Sequence, residues 1–230
     1  MIVAIIPARG GSKRIPGKNI KNFCGKPIIS YSLKIAHKTQ LFDKIIVSTE
    51  DKKITSIAKK YKAEVPYKRP AKLAGDLVGT ENVIAHAIKQ LKQKGLKVKA
   101  VCCIYPTAVF AKPGDIIKAY KKMVSGNWNY VFTATSFQSN VFRSFTKIKS
   151  NGVKMLFPKK YNSRTQDLKE TYHDVGQFYW GKPDAWLKLK PIFAQSSTFV
   201  DIPRWRAHDI DTLEDWKQAE LFYKNLISKK

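Results

Sequence analysis

The sequence predicts an α/β fold with a mostly parallel sheet flanked by helices. As far as Thr135, short apolar runs alternate with segments whose apolar residues recur at helical spacing. Strands that alternate with helices favour parallel pairing, because each helix carries the chain back across the sheet. The 230 residues are 43% hydrophobic and 12% aromatic, which is typical of a globular protein with a sizeable core. We therefore expect a single domain over residues 1–230.

The strands and helices of the first half follow from two periodicities. Short apolar or β-branched runs predict buried strands, at Ile2–Ile6, Lys44–Ser48, Ala100–Ile104 and Tyr130–Thr135. Apolar residues three and four apart predict helices between these strands, over residues 54–61, 83–91 and 116–124. A further helix is predicted to open at Pro27 and end near Lys38, since proline suits the first turn of a helix.

The pattern changes after Thr135. Residues 136–161 are rich in Ser, Asn, Phe and Lys, and we expect them to form an arm inserted outside the main sheet. Short strands are predicted at Gln177–Trp180 and Ala207–Asp211. A last helix is predicted from Thr212 to about Ile227, because Thr212 and Asp215 resemble a capping box with Asp in place of Glu.

The charge of the chain limits the classes of ligand. There are 43 Lys+Arg against 17 Asp+Glu, a net charge of +26, which predicts attraction to anions such as nucleotides, acidic sugars or nucleic acid. The basic residues are dispersed, whereas a nucleic-acid-binding surface is expected to cluster them on one face. A non-enzymatic nucleic-acid-binding protein is therefore an alternative that the sequence disfavours.

Cysteine content and hydropathy indicate the compartment. The three cysteines are an odd number without C-x-x-C spacing, which argues against a disulfide framework and a zinc site. No segment approaches the length of a membrane span, and the run Ile2–Ile6 is too short for a signal peptide. We expect a cytoplasmic protein without a membrane partner.

The loop after the first predicted strand has the composition of a triphosphate site. Ligands of parallel α/β sheets bind at the carboxyl ends of the strands, which is where this loop begins. Gly10-Gly11-Ser12 can bring backbone N–H groups and a hydroxyl close to an anion. The loop also carries four cations, Arg9, Lys13, Arg14 and Lys18. Its spacing is that of neither a P-loop nor a dinucleotide fingerprint.

Two aspartates near the end of the chain predict a metal site. Asp209 and Asp211 are two residues apart, so on the predicted strand both carboxylates point to the same face. Mg²⁺ keeps several waters and takes one or two protein carboxylates beside phosphate oxygens. The alternative is an acidic strand end followed by a helix cap.

The residues from Pro7 to Asn19, Pro-Ala-Arg-Gly-Gly-Ser-Lys-x-Ile-Pro-x-Lys-Asn, resemble the opening signature of the sugar-acid cytidylyltransferases. That family includes the enzymes that activate acylneuraminate, legionaminate and pseudaminate. The resemblance implies a Rossmann-like sheet of the nucleotide-diphospho-sugar transferase type, with an inserted dimerisation arm and a homodimer. It also implies transfer of CMP from CTP to the anomeric hydroxyl of a nine-carbon 2-keto sugar acid, releasing pyrophosphate, with Mg²⁺ as the cofactor.

The resemblance also implies roles for individual residues. Arg9, Lys18 and Asp211 are the candidate catalytic residues, and Lys18 is the expected transition-state stabiliser. Asp209 and Asp211 match the family's metal-binding Asp-x-Asp. The segment from Arg69 to Asp76 resembles one that precedes the family's nucleoside pocket. Candidate nucleotide-binding residues are Ala8, Arg9, Gly10, Gly11, Ser12, Lys18, Asn19, Arg69, Thr80 and Tyr105. Tyr105 is a departure, because the family often has Gln there.

The choice of sugar depends on residues 162–180. The runs Asn162–Leu168 and His173–Trp180 resemble the pseudaminate branch of the family. We expect Arg164 to pair with the sugar carboxylate and Gln177 and Tyr179 to present a polar strand face to the sugar, while Phe178 and Trp180 pack in the core. The alternatives are legionaminate, N-acetylneuraminate and 3-deoxy-manno-octulosonate.

Overall fold

A central sheet organises the protein. The computed structural model describes residues 1–228, with side chains described as far as residue 226. The strands are β1 Ile2–Pro7, β2 Asn22–Phe23, β3 Lys26–Pro27, β4 Lys44–Ser48, β5 Ala100–Ile104, β6 Tyr130–Ser136, β7 Phe145–Lys147, β8 Val153–Met155, β9 Tyr172–Gly181 and β10 Ser197–Asp201. The helices are α1 Ile29–Thr39, α2 Lys52–Lys60, α3 Thr80–Gln93, α4 Pro113–Ser125, α5 Pro183–Leu187 and α6 Leu213–Ser228.

Six strands form the main sheet in the order β10-β6-β9-β5-β1-β4. Strand β1 pairs in parallel with both β4 and β5, and β6 pairs in parallel with β10. Only β9 runs antiparallel to its two neighbours, so the other five strands share one direction. The predicted α/β fold with a mostly parallel sheet is confirmed.

Helices cover both faces of the sheet, as the continuous apolar strands require. Alternate residues of β1 point to opposite faces, so Ala4 and Ile6 join a core with α1, α2 and α4, while Val3 and Ile5 join a core with α3 and α5. Phe178 and Trp180 are fully buried, which confirms their predicted place in the core.

A third core joins the two ends of the chain. Ile15 from the loop after β1 and Ile210 from the segment before α6 are both buried, and they share this cluster with Trp216 of α6. The predicted capping box starts that helix: the Asp215 carboxylate accepts from the Thr212 N–H at 2.7 Å, and the Thr212 hydroxyl accepts from the Asp215 N–H at 3.2 Å. This packing brings the acidic segment against the first loop.

Two predictions about local structure were wrong, and the length of one correctly predicted strand was underestimated. Residues 207–211 form no strand, because they follow the 3-10 turn Arg204–Arg206, and β10 takes the sheet edge instead. Pro27 does not open a helix, since it pairs with Asn22 in a short hairpin and α1 begins at Ile29. Strand β9 is longer than predicted and lies inside the sheet, where it pairs with both β5 and β6.

The predicted arm over residues 136–161 overlaps a second small sheet. Strands β7 and β8 pair with each other outside the main sheet. Several large apolar side chains of this segment are exposed, among them Phe145, Val153, Leu156 and Tyr161. Among the described residues, no helix is both long and apolar enough to cross a membrane.

Candidate active site

A cavity of about 560 Å³ opens at the carboxyl ends of β1 and β5. Most of the predicted nucleotide and metal residues line it, namely Arg9, Ser12, Lys18, Asn19, Arg69, Thr80, Tyr105, Asp209 and Asp211. Lys13, Arg14 and Asp76 line it as well. The cavity therefore combines four cations from one loop with acidic residues from two distant segments.

Lys18 and Arg14 pair with the acidic segment. The Lys18 ammonium donates to the Ile210 carbonyl oxygen at 2.8 Å and to Asp211 Oδ1 at 3.1 Å. Arg14 Nη1 lies 2.8 Å from Asp211 Oδ2. Lys18 is mostly enclosed, with 19% of its side chain exposed, so its charge acts in a partly desolvated position where electrostatic interactions are stronger than in water.

Arg9 and Lys13 pair with Asp76 instead. Arg9 Nη1 lies 2.7 Å from Asp76 Oδ1, and Lys13 Nζ lies 2.7 Å from Asp76 Oδ2. Lys13, followed by Arg9, holds the pKa of the Asp76 carboxyl below its usual value. No role was predicted for Asp76. The sequence marks this residue only as the end of the segment that begins at Arg69.

The first glycine of the loop is held by a carboxylate that the sequence did not single out. Glu50 Oε1 accepts from the Gly10 N–H at 2.7 Å, and Glu50 Oε2 accepts from Arg69 Nε at 2.9 Å and Nη2 at 2.6 Å. Arg69 is only 3% exposed. The predicted Gly10 donor thus serves the shape of the loop in this structure. Neither Gly10 nor Gly11 lines the cavity, and a Cβ added to Gly11 would meet no atom within 4 Å.

Two other predicted residues shape the same loop. Asn19 is buried, and its side-chain amide donates to the Arg9 carbonyl oxygen at 2.9 Å. Ala8 is fully buried, and its N–H donates to the Ser48 carbonyl oxygen at 3.0 Å. These contacts fix the start of the loop against β4, and Ala8 does not line the cavity.

Tyr105 lines the cavity directly after β5, where polar and aromatic contacts hold its side chain. Its hydroxyl lies 3.0 Å from Thr80 Oγ1, and its ring centroid lies 5.4 Å from that of Tyr179. The Tyr105 hydroxyl is protonated at neutral pH and can donate a hydrogen bond, and burial raises its pKa further. Tyr179 in turn donates to the Asp174 carboxylate.

The two aspartates fit a hard cation, although no strand aligns them. Burial, followed by the charge of Asp211, raises the pKa of the Asp209 carboxyl, and a cation held there would favour its charged form. Among the described residues, no cluster of three or more His, Cys, Asp or Glu side chains could hold a metal. Two carboxylates suit Mg²⁺, which completes its shell with water and phosphate oxygens.

The predicted sugar-binding residues do not line this cavity. Arg164 is exposed on the surface. Gln177 is buried, and its amide donates to the Arg206 carbonyl oxygen at 2.7 Å, while Tyr179 packs behind Tyr105. Gln177 and Tyr179 are enclosed because β9 lies within the sheet between β5 and β6, so their contact with a sugar stays a prediction.

The chain is similar to known cytidylyltransferases over nearly its full length. Residues 3–229 match the family model described as cytidylyltransferase. A pseudaminic acid cytidylyltransferase of Campylobacter jejuni is 40% identical over 222 residues, which cover 96% of each chain. A CMP-N,N'-diacetyllegionaminic acid synthase of Legionella pneumophila is 36% identical and covers 95% of this chain and 94% of its own.

A solved structure shares the fold at low sequence identity. The structure of a CMP:2-keto-3-deoxy-manno-octonic acid synthetase complexed with CTP superposes with a TM-score of 0.71 and 14% identity. The alignment covers 97% of this chain and 98% of the other. The mostly parallel sheet is thus that of the nucleotide-diphospho-sugar transferase type.

Proposed function

The chain belongs to the cytidylyltransferase family, and we propose that it transfers CMP from CTP to the anomeric hydroxyl of pseudaminic acid, releasing pyrophosphate. The observation that carries the choice of sugar is the 40% identity to the Campylobacter jejuni enzyme over nearly the full length of both chains. The 36% identity to the legionaminic acid synthase makes N,N'-diacetyllegionaminic acid the second candidate. Both acceptors are acidic sugars, which suits a chain of net charge +26.

In this proposal the loop after β1, from Ala8 to Lys18, binds the triphosphate, and we call it the phosphate loop. Arg9, Lys13, Arg14 and Lys18 supply positive charge on one side of the cavity. Ser12 adds a hydroxyl. No atom would lie within 4 Å of a Cβ on Gly11, so a phosphate has room to approach the backbone there. Such a loop meets both needs of a triphosphate, because its oxygens require donors and its charge requires cations.

Tyr105 and Thr80 line the end of the cavity that we assign to the nucleoside. Their hydrogen bond fixes the Tyr105 hydroxyl, and Tyr179 packs against the same ring. Arg69 supports the phosphate loop through Glu50 and Gly10. Arg164 lies outside the cavity, and its proposed pairing with the sugar carboxylate is supported only by the resemblance of residues 162–168 to the pseudaminate branch.

Asp209 and Asp211 would hold Mg²⁺. When bound, the ion supplies charge that offsets the phosphates and lowers the pKa of the attacking hydroxyl. The reaction is an in-line displacement at the α-phosphorus, in which positioning and charge neutralisation supply most of the acceleration. Lys18 and Arg9 then stabilise the negative charge that develops on the leaving pyrophosphate.

A pyrophosphate-release assay tests the proposal. Each of the four nucleoside triphosphates is paired with pseudaminic, diacetyllegionaminic, N-acetylneuraminic and 3-deoxy-manno-octulosonic acids. We expect release only with CTP, and fastest with pseudaminic acid. Faster release with another acid would replace the sugar assignment. RNA binding that falls steeply with salt, without turnover of any pair, would support the non-enzymatic alternative.

We also propose that the chain forms a homodimer through residues 136–161. The support is the apolar surface of this segment, where the side chains of Phe145 and Val153 are more than half exposed at 62% and 64%. Apolar surface of this kind is typical of a protein contact. Sedimentation of the wild type and of Phe145→Glu tests this, with Leu221→Glu on exposed α6 as the control. A wild-type monomer would contradict it.

A cytoplasmic location is proposed as well. The three cysteines are unpaired thiols, and Cys102 and Cys103 are fully buried. Free thiols are usual in compartments that keep cysteine reduced. Fractionation of cells that produce the protein would test the location.

A further inference from the structure

Asp76 stands where a phosphate is expected to bind. Its two carboxylate oxygens each lie 2.7 Å from a cation of the phosphate loop, one from Arg9 and the other from Lys13. Arg9 also donates to the Ala74 carbonyl oxygen at 3.4 Å. The segment around Asp76 therefore offers Arg9 two acceptors. A carboxylate and a phosphate present similar anionic oxygens to such donors.

Asp76 pairs with only two of the four cations in the loop, Arg9 and Lys13. Arg14 and Lys18 pair with Asp211, a residue that we assign to the metal. Asp76 lies in another segment, between the 3-10 turn Ala71–Leu73 and α3, and it has no part in the proposed metal site. Its pairing with Arg9 and Lys13 therefore needs a separate explanation.

We propose that Asp76 competes with the triphosphate of CTP, and with the pyrophosphate product, for Arg9 and Lys13. This inference rests on the proposed function of the cavity. In the nucleotide-free protein, Asp76 neutralises the two cations and keeps the loop ordered. When CTP binds, phosphate oxygens take over the donors and Asp76 moves away. When pyrophosphate leaves, Asp76 returns and stabilises the empty site.

The surroundings of Asp76 allow this exchange. Its side chain is 38% exposed and that of Lys13 is 82% exposed, so an incoming anion can reach the pair from solvent. The next residue, Leu77, is fully exposed, so no packing of its side chain resists movement of the loop. Ion pairs this accessible contribute little to stability, which makes them easy to replace.

The consequence is a weaker hold on both substrate and product. Removing the competing carboxylate leaves Arg9 and Lys13 free before the ligand arrives, so binding no longer has to break two ion pairs. From the usual strength of exposed pairs we expect about three- to tenfold tighter binding of CTP and pyrophosphate. CMP lacks the β- and γ-phosphates and should change much less.

The experiment measures dissociation constants by calorimetry for CTP, inorganic pyrophosphate and CMP. The variants are Asp76→Asn, which removes the charge, and Asp76→Glu, which keeps it. The matched control is Glu64→Gln, since Glu64 is also an exposed acid paired with a lysine, 2.7 Å from Lys44 Nζ, and it does not line the cavity. Thermal unfolding of each variant verifies that it is folded.

We expect Asp76→Asn to bind CTP and pyrophosphate more tightly, with stronger product inhibition by pyrophosphate. Asp76→Glu and Glu64→Gln should resemble the wild type. Equal or weaker binding of CTP by Asp76→Asn would overturn the inference, and with normal wild-type turnover it would leave the proposed function intact. If the wild type neither binds nor turns over CTP, both proposals fail together.

Discussion

The ammonium group of Lys18 lies 3.1 Å from Asp211 Oδ1, although 193 residues separate the two along the chain. The same ammonium donates to the carbonyl oxygen of Ile210 at 2.8 Å. The proposed phosphate cation and the proposed metal ligand are therefore positioned by each other before any substrate binds.

Lys18→Ala should lower kcat by about 100- to 1000-fold, the range found when one preorganised donor to developing charge is removed. KM for CTP should rise much less, because three other cations of the loop remain. Steady-state kinetics of pyrophosphate release measure both quantities. Lys53→Ala, on the exposed side of α2, is the control for a lost lysine. A pure KM effect would mean that Lys18 binds substrate and transition state equally.

Asp211→Asn should reduce turnover by at least about 100-fold while the fold is kept. In the presence of a metal chelator, CTP should bind as tightly as to wild type or more tightly, because Arg14 and Lys18 lose their ion pair. Calorimetry and pyrophosphate release measure the two effects. Asp201→Asn, an exposed acid at the end of β10, is the control. Normal pyrophosphate release would contradict the metal assignment.

Gly10→Ala and Gly11→Ala should behave differently although they are neighbours. A Cβ on Gly10 would lie 2.6 Å from Asp51 Oδ2, whereas one on Gly11 would meet no atom within 4 Å. Asp51 caps α2 by accepting from the Ile54 N–H at 2.9 Å, so Gly10→Ala disturbs both the loop and that helix. We expect a lower melting temperature and a higher KM for CTP. Equal effects of the two changes would refute this reasoning.

Tyr105→Phe should raise KM for CTP by about two- to tenfold and leave kcat nearly unchanged. The change leaves the Thr80 hydroxyl without its partner at 3.0 Å, at the usual cost of one lost hydrogen bond, but it keeps the aromatic contact with Tyr179. Tyr61→Phe is the control, since Tyr61 does not line the cavity. A large fall in kcat would instead place the Tyr105 hydroxyl at the reacting atoms.

Thr212→Ala should lower the free energy of unfolding by about 1 kcal/mol, the usual cost of a lost helix cap. The hydroxyl of Thr212 accepts from the Asp215 N–H at 3.2 Å and donates to its carboxylate at 2.8 Å. Urea denaturation measures the change. Thr212→Ser keeps the hydroxyl and should unfold like the wild type, whereas an equally destabilised serine variant would mean that the methyl group matters more than the cap.

The sequence predicted the buried strands, but it missed the strand at the sheet edge and the position of β9 in the sheet. The strands Lys44–Ser48 and Ala100–Ile104 are buried on both faces, so their central residues are apolar and their predicted bounds agree with the structure. Strand β10 carries Ser, Thr and Asp at the sheet edge, and it lacks that signal. The position of β9 depends on pairing with two distant strands, which no local pattern records.

In the cavity as well, local motifs could be predicted and contacts between distant segments could not. Lys18 and Asp211 could be singled out because each lies in a short motif with a clear chemical meaning. Their mutual contact could not, since it depends on the burial of Ile15 and Ile210 in one core. Glu50 was missed because its partner Gly10 lies 40 residues away and its own sequence neighbourhood is ordinary.

The shared core of Ile15 and Ile210 also sets the order in which the cavity can be completed during synthesis. A ribosome releases the chain from its amino end, and domains fold as their parts emerge. The phosphate loop leaves the exit tunnel early, but the segment that holds Lys18 in place follows 192 residues later. A growing chain that ends before Ile210 lacks Asp211, and it lacks the two partners of the Lys18 ammonium. Catalytic competence should therefore appear only after Asp211 has been synthesised, and a product truncated before that residue should be inert.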